Sequence, residues 1–300
     1  MESFLALVKR NIKLYFKDKA MFITSLITPM ILLVLYTTFL KKVYADSFVG
    51  SLQAAGATIS DKLINGIVSG QLCSSLLAVC CVTVAFCSNM LMVQDKATGS
   101  IKDFTITPVR KEVIALSYYI SNLISTLIVC YVAMIICFIY IGIVGWYLSI
   151  ADVFLTIINV FLVSLFGCAL SSIINSFLST QGQMSAVGTI VSSCYGFLCG
   201  AYMPIASFSK GLRNVLLFLP GTYGTSLLRN SMLNGAFKEF SSLGFSQDVI
   251  TSIKDSIDCN LYFFGNQVSI NIMYIVLVGS IAILIGIIVL LTLIRKQKAN

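Results

Sequence analysis

The stretch from Gln94 to Glu112, QDKATGSIKDFTITPVRKE, holds the residues best suited to chemistry with a partner. Lys96, Lys102, Arg110 and Lys111 stand against Asp95, Asp103 and Glu112, between two long apolar runs. The pattern predicts a small amphipathic helix that ends before Pro108, because proline lacks the amide a helix needs. On that helix Ile101, Phe104 and Thr105 share one face by their spacing. Catalytic chemistry is poorly supplied elsewhere. Histidine is absent, which removes the commonest general base and metal ligand. No G-x-x-x-x-G-K-[ST] run occurs, so the chain does not hold ATP through that motif. Of ten cysteines, only Cys259 falls in a polar region. The other nine sit in apolar runs as small hydrophobes, so a disulfide outside the membrane is not expected.

The elements that carry these residues are set by composition. The chain is 58% hydrophobic and 11% charged, with a mean hydropathy of +0.94. That excludes a soluble globular domain and predicts an all-α polytopic membrane protein. Six segments are long enough to cross as helices, at about 21–40, 67–93, 114–142, 153–175, 181–203 and 270–294. The first is too long, and its charged leader too extended, for a cleaved signal peptide. None of the six cores contains Asp, Glu, Lys or Arg. A carboxylate relay for protons or sodium is therefore missing, as is an acid pair for an intramembrane hydrolase or acyltransferase. Uphill transport by this chain needs energy from a partner. The whole of 1–300 reads as one membrane domain, with functional segments at 1–19, 94–112 and 204–269.

Basic residues orient the set. With both termini in the cytoplasm, the inner side carries twelve Lys and Arg against five acids. The outer side carries eight against seven, and Trp146 and Tyr147 fall at the outer interface. Residues 2–18 form an amphipathic helix with Phe4, Leu5, Val8, Ile12, Tyr15 and Phe16 on one face. Lys9, Arg10, Lys13 and Lys17 lie opposite, toward lipid phosphates and cytosol. Two readings stay open for it, a topogenic leader and a connecting helix that touches a cytoplasmic partner. No basic block interleaved with aromatics suggests nucleic acid.

Polar residues inside the spans are mild. Thr83, Ser88 and Asn89 lie in the second, with Phe86 among them; Ser185, Thr189, Ser192, Ser193 and Tyr195 lie in the fifth. They read either as helix–helix hydrogen bonds or as a weakly polar path lined by Thr83, Phe86, Asn89, Thr189, Ser192 and Tyr195. Such a path suits an amphipathic substrate better than a sugar or an ion. After the fifth span, Pro204 and Pro220 bracket an apolar stripe, and Tyr223, Leu227, Leu228 and Met232 continue in a second short helix. Together the two pieces can dip into the outer leaflet and return. Pro220, Tyr223 and Arg229 are the candidate outer gate, Arg229 either snorkelling to headgroups or pinning the hairpin. The insert 238–269 predicts a helix at about 247–257 with Val249, Ile250, Ile253 and Ile257 on one face.

These segments resemble a known family, the membrane subunits of type-2 ABC exporters. The basic amphipathic leader is similar to the family's connecting helix. The loop DKATGSIKDFTITPVRKEV resembles its coupling helix, with an acidic residue, T-G, an amphipathic turn and T-P-V before the third span. GAYMPIASFSKGLRNVLLFLPGTYGTSLLRNSMLNG is similar to its G…P…P-x-x-Y…L-R region. The loop departs from the family's frequent E-R/K-E-x-G-T by reading Gln94-Asp95-Lys96-Ala97-Thr98-Gly99-Ser100. The resemblance implies a non-catalytic permease in the cell membrane, paired with a second, identical or different, permease. It implies cytoplasmic ABC ATPases that bind ATP and Mg, while this chain binds no cofactor. It further implies coupling contacts at Thr98, Gly99, Ile101, Lys102, Phe104 and Thr105, contact with membrane lipids, and export of a drug, a peptide antibiotic or a lipid-like molecule. A partner-independent carrier or channel, or an intramembrane lipid-modifying enzyme, would instead work without any ATPase.

Overall fold

A computed structural model of the chain describes residues 2–36, 38, 42, 60–106 and 109–297. Its centre is α3, Asp61–Ala97, a 37-residue helix. At 1.5 Å per residue it is roughly 55 Å long, far more than the hydrocarbon thickness, so its ends stand outside. Its sequence is rich in Gly, Ser, Ala and Cys. Small side chains let neighbouring helices come close on every side. α2 (Lys19–Leu35), α5 (Lys111–Val144), α6 (Ile150–Ser176), α7 (Gln181–Leu198) and α9 (Pro220–Ser242) all pack on it. Nearly all of its apolar stretch is buried. At Gly167 of α6, a methyl group would stand 2.9 Å from the Cys81 carbonyl and 3.0 Å from Val82 Cα. The α3–α6 spacing therefore depends on the missing side chain.

Among the described residues, four helices are long and apolar enough to cross a membrane: α3, α5, α6 and α11, Ile270–Gln297. α1 (Glu2–Lys17) and α2 meet at a 72° bend and make a fifth candidate if taken as one broken span. The bend falls at Asp18, whose carboxylate accepts from the Met21 amide and caps α2. Residues 37 and 39–40 of the expected first span lie outside the described residues. The expected fifth span is α7, but Gln181, Gln183 and its Ser and Gly content keep it below the hydropathy of the other four.

The segment after α7 departs from expectation in two places. Pro220 does not introduce a short helix. It occupies the first position of α9, where its missing amide costs nothing, and the helix continues for 23 residues. α9 follows a short 3-10 turn (Ile205–Ser207) and α8, Lys210–Leu216. Beyond it, α10 (Gln247–Ser256) buries Ile250 and Ile253, the face expected of it. The chain is also not wholly helical. Leu261–Phe263 (β1) and Asn266–Val268 (β2) pair antiparallel, with Leu261 opposite Val268. Phe264 and Gly265 both take positive φ between them, the two-residue turn that matches strand twist.

Gly167→Val is expected to force α3 and α6 apart and to cost about 1–3 kcal/mol by overpacking. A lowered midpoint in thermal unfolding of the detergent-purified chain checks it; an unchanged midpoint would mean that this contact is not tight.

Candidate functional site

The C-terminal end of α3 is built by two adjacent charges that point to different neighbours. Asp95, almost fully buried, accepts two hydrogen bonds from the Arg10 guanidinium of α1, at 2.7 and 3.2 Å. Tyr118 of α5 donates to the same carboxylate at 2.5 Å. Arg10 also lies over the Phe104 ring, 4.9 Å from its centroid. Leu91, Ile114 and Tyr118 form a small core beneath, closed by Leu7, Leu14, Met92, Phe104 and Val109. One carboxylate thus ties α1, α3 and α5 together. The Asp95 hydrogen bond raises the Arg10 pKa above its ordinary value, so Arg10 stays a cation. Lys96 turns to α6, where its ammonium donates to the carbonyls of Asn175, Ser176 and Leu178 at 3.0–3.2 Å. A cation at the carbonyl end of a helix meets its negative pole, here beside Asn175, whose carbonyl also accepts from the Leu178 amide.

α3 then stops at Thr98 and Gly99. Thr98 Oγ1 donates to the Gln94 carbonyl at 2.9 Å. Gly99 has φ +80°, a left-handed geometry that costs an L side chain roughly 1 kcal/mol or more. The chain reverses there into α4, Ile101–Thr105, whose Ile101 is half-buried. Lys102 and Thr105 belong to this helix. Phe104 faces inward under Arg10, while Ile106, just past the helix, is 84% exposed. Thr107 and Pro108 lie outside the described residues. Two features escaped the sequence. A helical wheel groups Arg10 with the lysines, yet it faces the protein interior while Lys9, Lys13 and Lys17 stay exposed. Ile106, an apolar side chain inside a charged loop, was the available signal for an outward contact.

In the membrane region the six candidate path residues divide. Thr83, Phe86 and Asn89 are enclosed within α3's surroundings. Thr83 donates to the Val79 carbonyl at 2.9 Å. Asn89 donates to Ser171 and Ser172 of α6, and Asn122 of α5 joins at Ser171. Thr189 is exposed on α7 and Ser192 half-exposed, whereas Tyr195 turns inward. Gln181, Ser185, Thr189 and Ser193 recur every four residues and are all exposed, a weakly polar stripe along α7. Between α2 and α7 lies a groove of about 510 Å³, bordered by Ile31, Tyr36, Ser192, Ser193 and Phe197.

Away from that corner, Arg229 of α9 is 1% exposed and does not snorkel. It pairs with Asp258 at 3.1 Å and donates to Ser75 of α3 and to the Gly200 carbonyl. Asp258 in turn accepts from the amides of Ile205 and Ala206, at 2.6 and 3.0 Å. Burial pushes the Asp258 carboxyl above the usual range, against the pull of Arg229 and those two amides. Tyr223 donates to the Leu217 carbonyl at 2.7 Å and braces the link between α8 and α9. Leu219 at the end of that link and Pro220 and Gly221 at the start of α9 lie beside Phe166 and Ile283, near the middles of α6 and α11.

Residues 2–233 match the family model of the ABC-2 type transporter. The match spans most of the chain, which belongs to that family as an ABC-2 type permease and a multi-pass membrane protein. The family implies association with ABC ATPase partners. Comparison with curated proteins and with solved structures gives no match.

Two variants probe the two anchors. Arg10→Met leaves Asp95 held by Tyr118 alone and is expected to cost on the order of 2 kcal/mol, the worth of hydrogen bonds to a charged group. A double-mutant cycle with Asp95→Asn should recover part of that loss; strict additivity would deny the coupling. Asp258→Ala strands a buried guanidinium, with an expected loss of about 3–5 kcal/mol, partly restored by adding Arg229→Met. Thermal unfolding reads both.

Proposed function

We propose that this permease is one half of a dimeric exporter driven by two cytoplasmic ATPase subunits. ATP and Mg are handled by those partners. Both termini lie in the cytoplasm, and six segments cross the membrane, with α7 as the fifth. α1 lies along the inner leaflet, as its exposed Lys9, Lys13 and Lys17 suit. α8 and α9 enter from the outside and turn at Leu219–Pro220. The observation that carries this reading is the cytoplasmic end of α3. The enclosed central helix passes through a single glycine turn into α4, and the Arg10–Asp95–Tyr118 set fastens that corner. A push on α4 by a partner reaches the middle of the protein without crossing a flexible link.

Thr98, Gly99, Ile101, Lys102 and Thr105, extended by Ile106, make the docking segment, and Phe104 is its root. The path follows the Ser185–Thr189–Ser193 stripe, with Ser192 beside it. A helix with this stripe fits lipid poorly, and a second permease facing it encloses a weakly polar route for an amphipathic substrate. Thr83, Phe86 and Asn89 support that route from within α3. Arg229 and Tyr223 hold the outer hairpin whose Pro220 tip closes the route.

Gly99→Pro and Ile106→Asp are expected to uncouple ATP hydrolysis from export at normal membrane insertion. Export at full rate by both would sink the docking assignment. Cys194 is exposed on α7 among cysteines that are otherwise buried. Copper-phenanthroline treatment of membranes should give a crosslinked dimer that Cys194→Ser abolishes. A dimer that persists in the serine variant would move the interface elsewhere. Transport in proteoliposomes containing this chain alone would favour a partner-independent carrier instead.

A further inference from the structure

The two-residue turn between β1 and β2 is built against local preference. Its first residue, Phe264, holds φ +48° and its second, Gly265, φ +88°. Asparagine, aspartate or glycine suit the first position, and a phenylalanine there carries a steric cost. The phenyl does not recover that cost inside the chain, because Phe264 is 64% exposed. Its ring stands edge-on to Phe263, with centroids 4.8 Å apart, and to Phe218 of the α8–α9 link at 6.4 Å. Phe218 is edge-on to Phe263 at 5.1 Å and is itself 67% exposed. Three phenyls from two chain segments thus form one projecting cluster. The hairpin behind it has two unlike faces. Leu261 opposite Val268 and Phe263 opposite Asn266 share one side, and Tyr262 opposite Gln267 the other. Tyr262 donates to the Asp255 carboxylate at 3.0 Å, so the polar side is fastened to α10.

What meets the cluster from outside follows from its surroundings. Val215 of α8, also exposed, continues it on the chain side before Phe218. Leu219, next to Phe218, borders the space beside Ile283, an exposed residue of α11. Of the four long apolar helices α11 is the least enclosed, and its outward side chains are aliphatic. Phe264, Phe218, Leu219 and Ile283 therefore belong to one uncharged surface, continuous with the lipid-facing side of a spanning helix. β2 passes into α11 through Ser269 alone, which keeps the hairpin at the membrane boundary. We infer that the β1–β2 turn is a lipid anchor: Phe264, backed by Phe263 and Phe218, inserts among the acyl chains of the leaflet that surrounds the N-terminal half of α11. Lipid supplies the burial that the turn itself does not. The anchor holds more than the hairpin. Asp258, the ion-pair partner of Arg229 in α9, precedes Phe264 on the same short segment. The grip of that segment on α9 is thereby fastened to the bilayer.

The test uses the full chain in phosphatidylcholine vesicles, with its single tryptophan, Trp146, replaced by phenylalanine. In that background Phe264→Trp and Gln267→Trp each place one indole on the hairpin, the first at the tip and the second on the polar side. Acyl chains brominated near their glycerol end are expected to quench the Phe264→Trp protein about twofold, and aqueous iodide on both sides of the vesicle to quench it little. The Gln267→Trp protein should show the reverse. Quenching of Phe264→Trp by iodide rather than by bromine would put the turn in water. Quenching by neither would put protein over it, as in contact with a second copy. Either result overturns the inference. Phe264→Asn separates the anchor from the turn. Asparagine suits the left-handed position, so by local preference the turn should tighten. With the phenyl lost from the lipid, amide exchange over residues 261–268 in vesicles should instead quicken several-fold. Unchanged or slower exchange would deny that lipid holds the hairpin. No ATPase or nucleotide is present, so these outcomes do not depend on the proposed transport.

Discussion

A carboxylate that leaves water must find its charge matched within a few ångströms, and Asp95 does so at the corner where four helices meet. Its partner Arg10 comes from the first turns of the chain, some eighty residues earlier. The pairing fixes α1 against the end of α3, and α1 in turn fixes the bend at Asp18 that sends α2 along the bundle. Tyr118 adds the start of α5 to the same oxygen. Without the match, the burial of Asp95 would be prohibitive, and α3 could not end where it does. A second buried pair repeats the logic with the sign reversed. There a buried cation, Arg229, is met by Asp258 and a backbone carbonyl, and through them gathers the 3-10 turn, α9 and the insert at 238–269.

Hydropathy made α5, α6 and α11 legible in the sequence, because their outward faces remain apolar and nothing else competes for the pattern. The α10 face was legible for the same reason, with Ile250 and Ile253 at helical spacing. Motif resemblance found the loop at Asp95–Thr105 and the block around Pro220. The sequence did not reveal direction. A wheel assigns Arg10 to the lysine face because it scores charge without knowing that Asp95 waits eighty-five positions away. Polarity alone likewise groups Thr189 with Tyr195, although the intact helix turns one outward and the other inward. The length of α9 was missed because proline and glycine look like a turn, whereas here proline opens a helix. These are all long-range facts, and periodicity carries only local ones.

α7 is the element where the constraints relax. Every other long helix of the bundle is either enclosed, as α3 is, or coated in aliphatic side chains suited to lipid. α7 is neither. One side carries hydroxyls every turn, and another turns Tyr195 inward. A helix with two unlike faces and few buried residues is held less firmly than its neighbours, and is the natural one to move.

The grip of Lys96 on the last carbonyls of α6 gives that motion a direction. α6 passes into α7 through only Phe177 to Thr180. Asp95 and Lys96 are neighbours on one rod, so any twist of α3 about its long axis that draws on α1 must also turn the foot of α6. The short connection leaves no slack to absorb that turn. Rotation of α3 at this corner would therefore be converted, as by a crank, into a swing of the most exposed helix of the bundle.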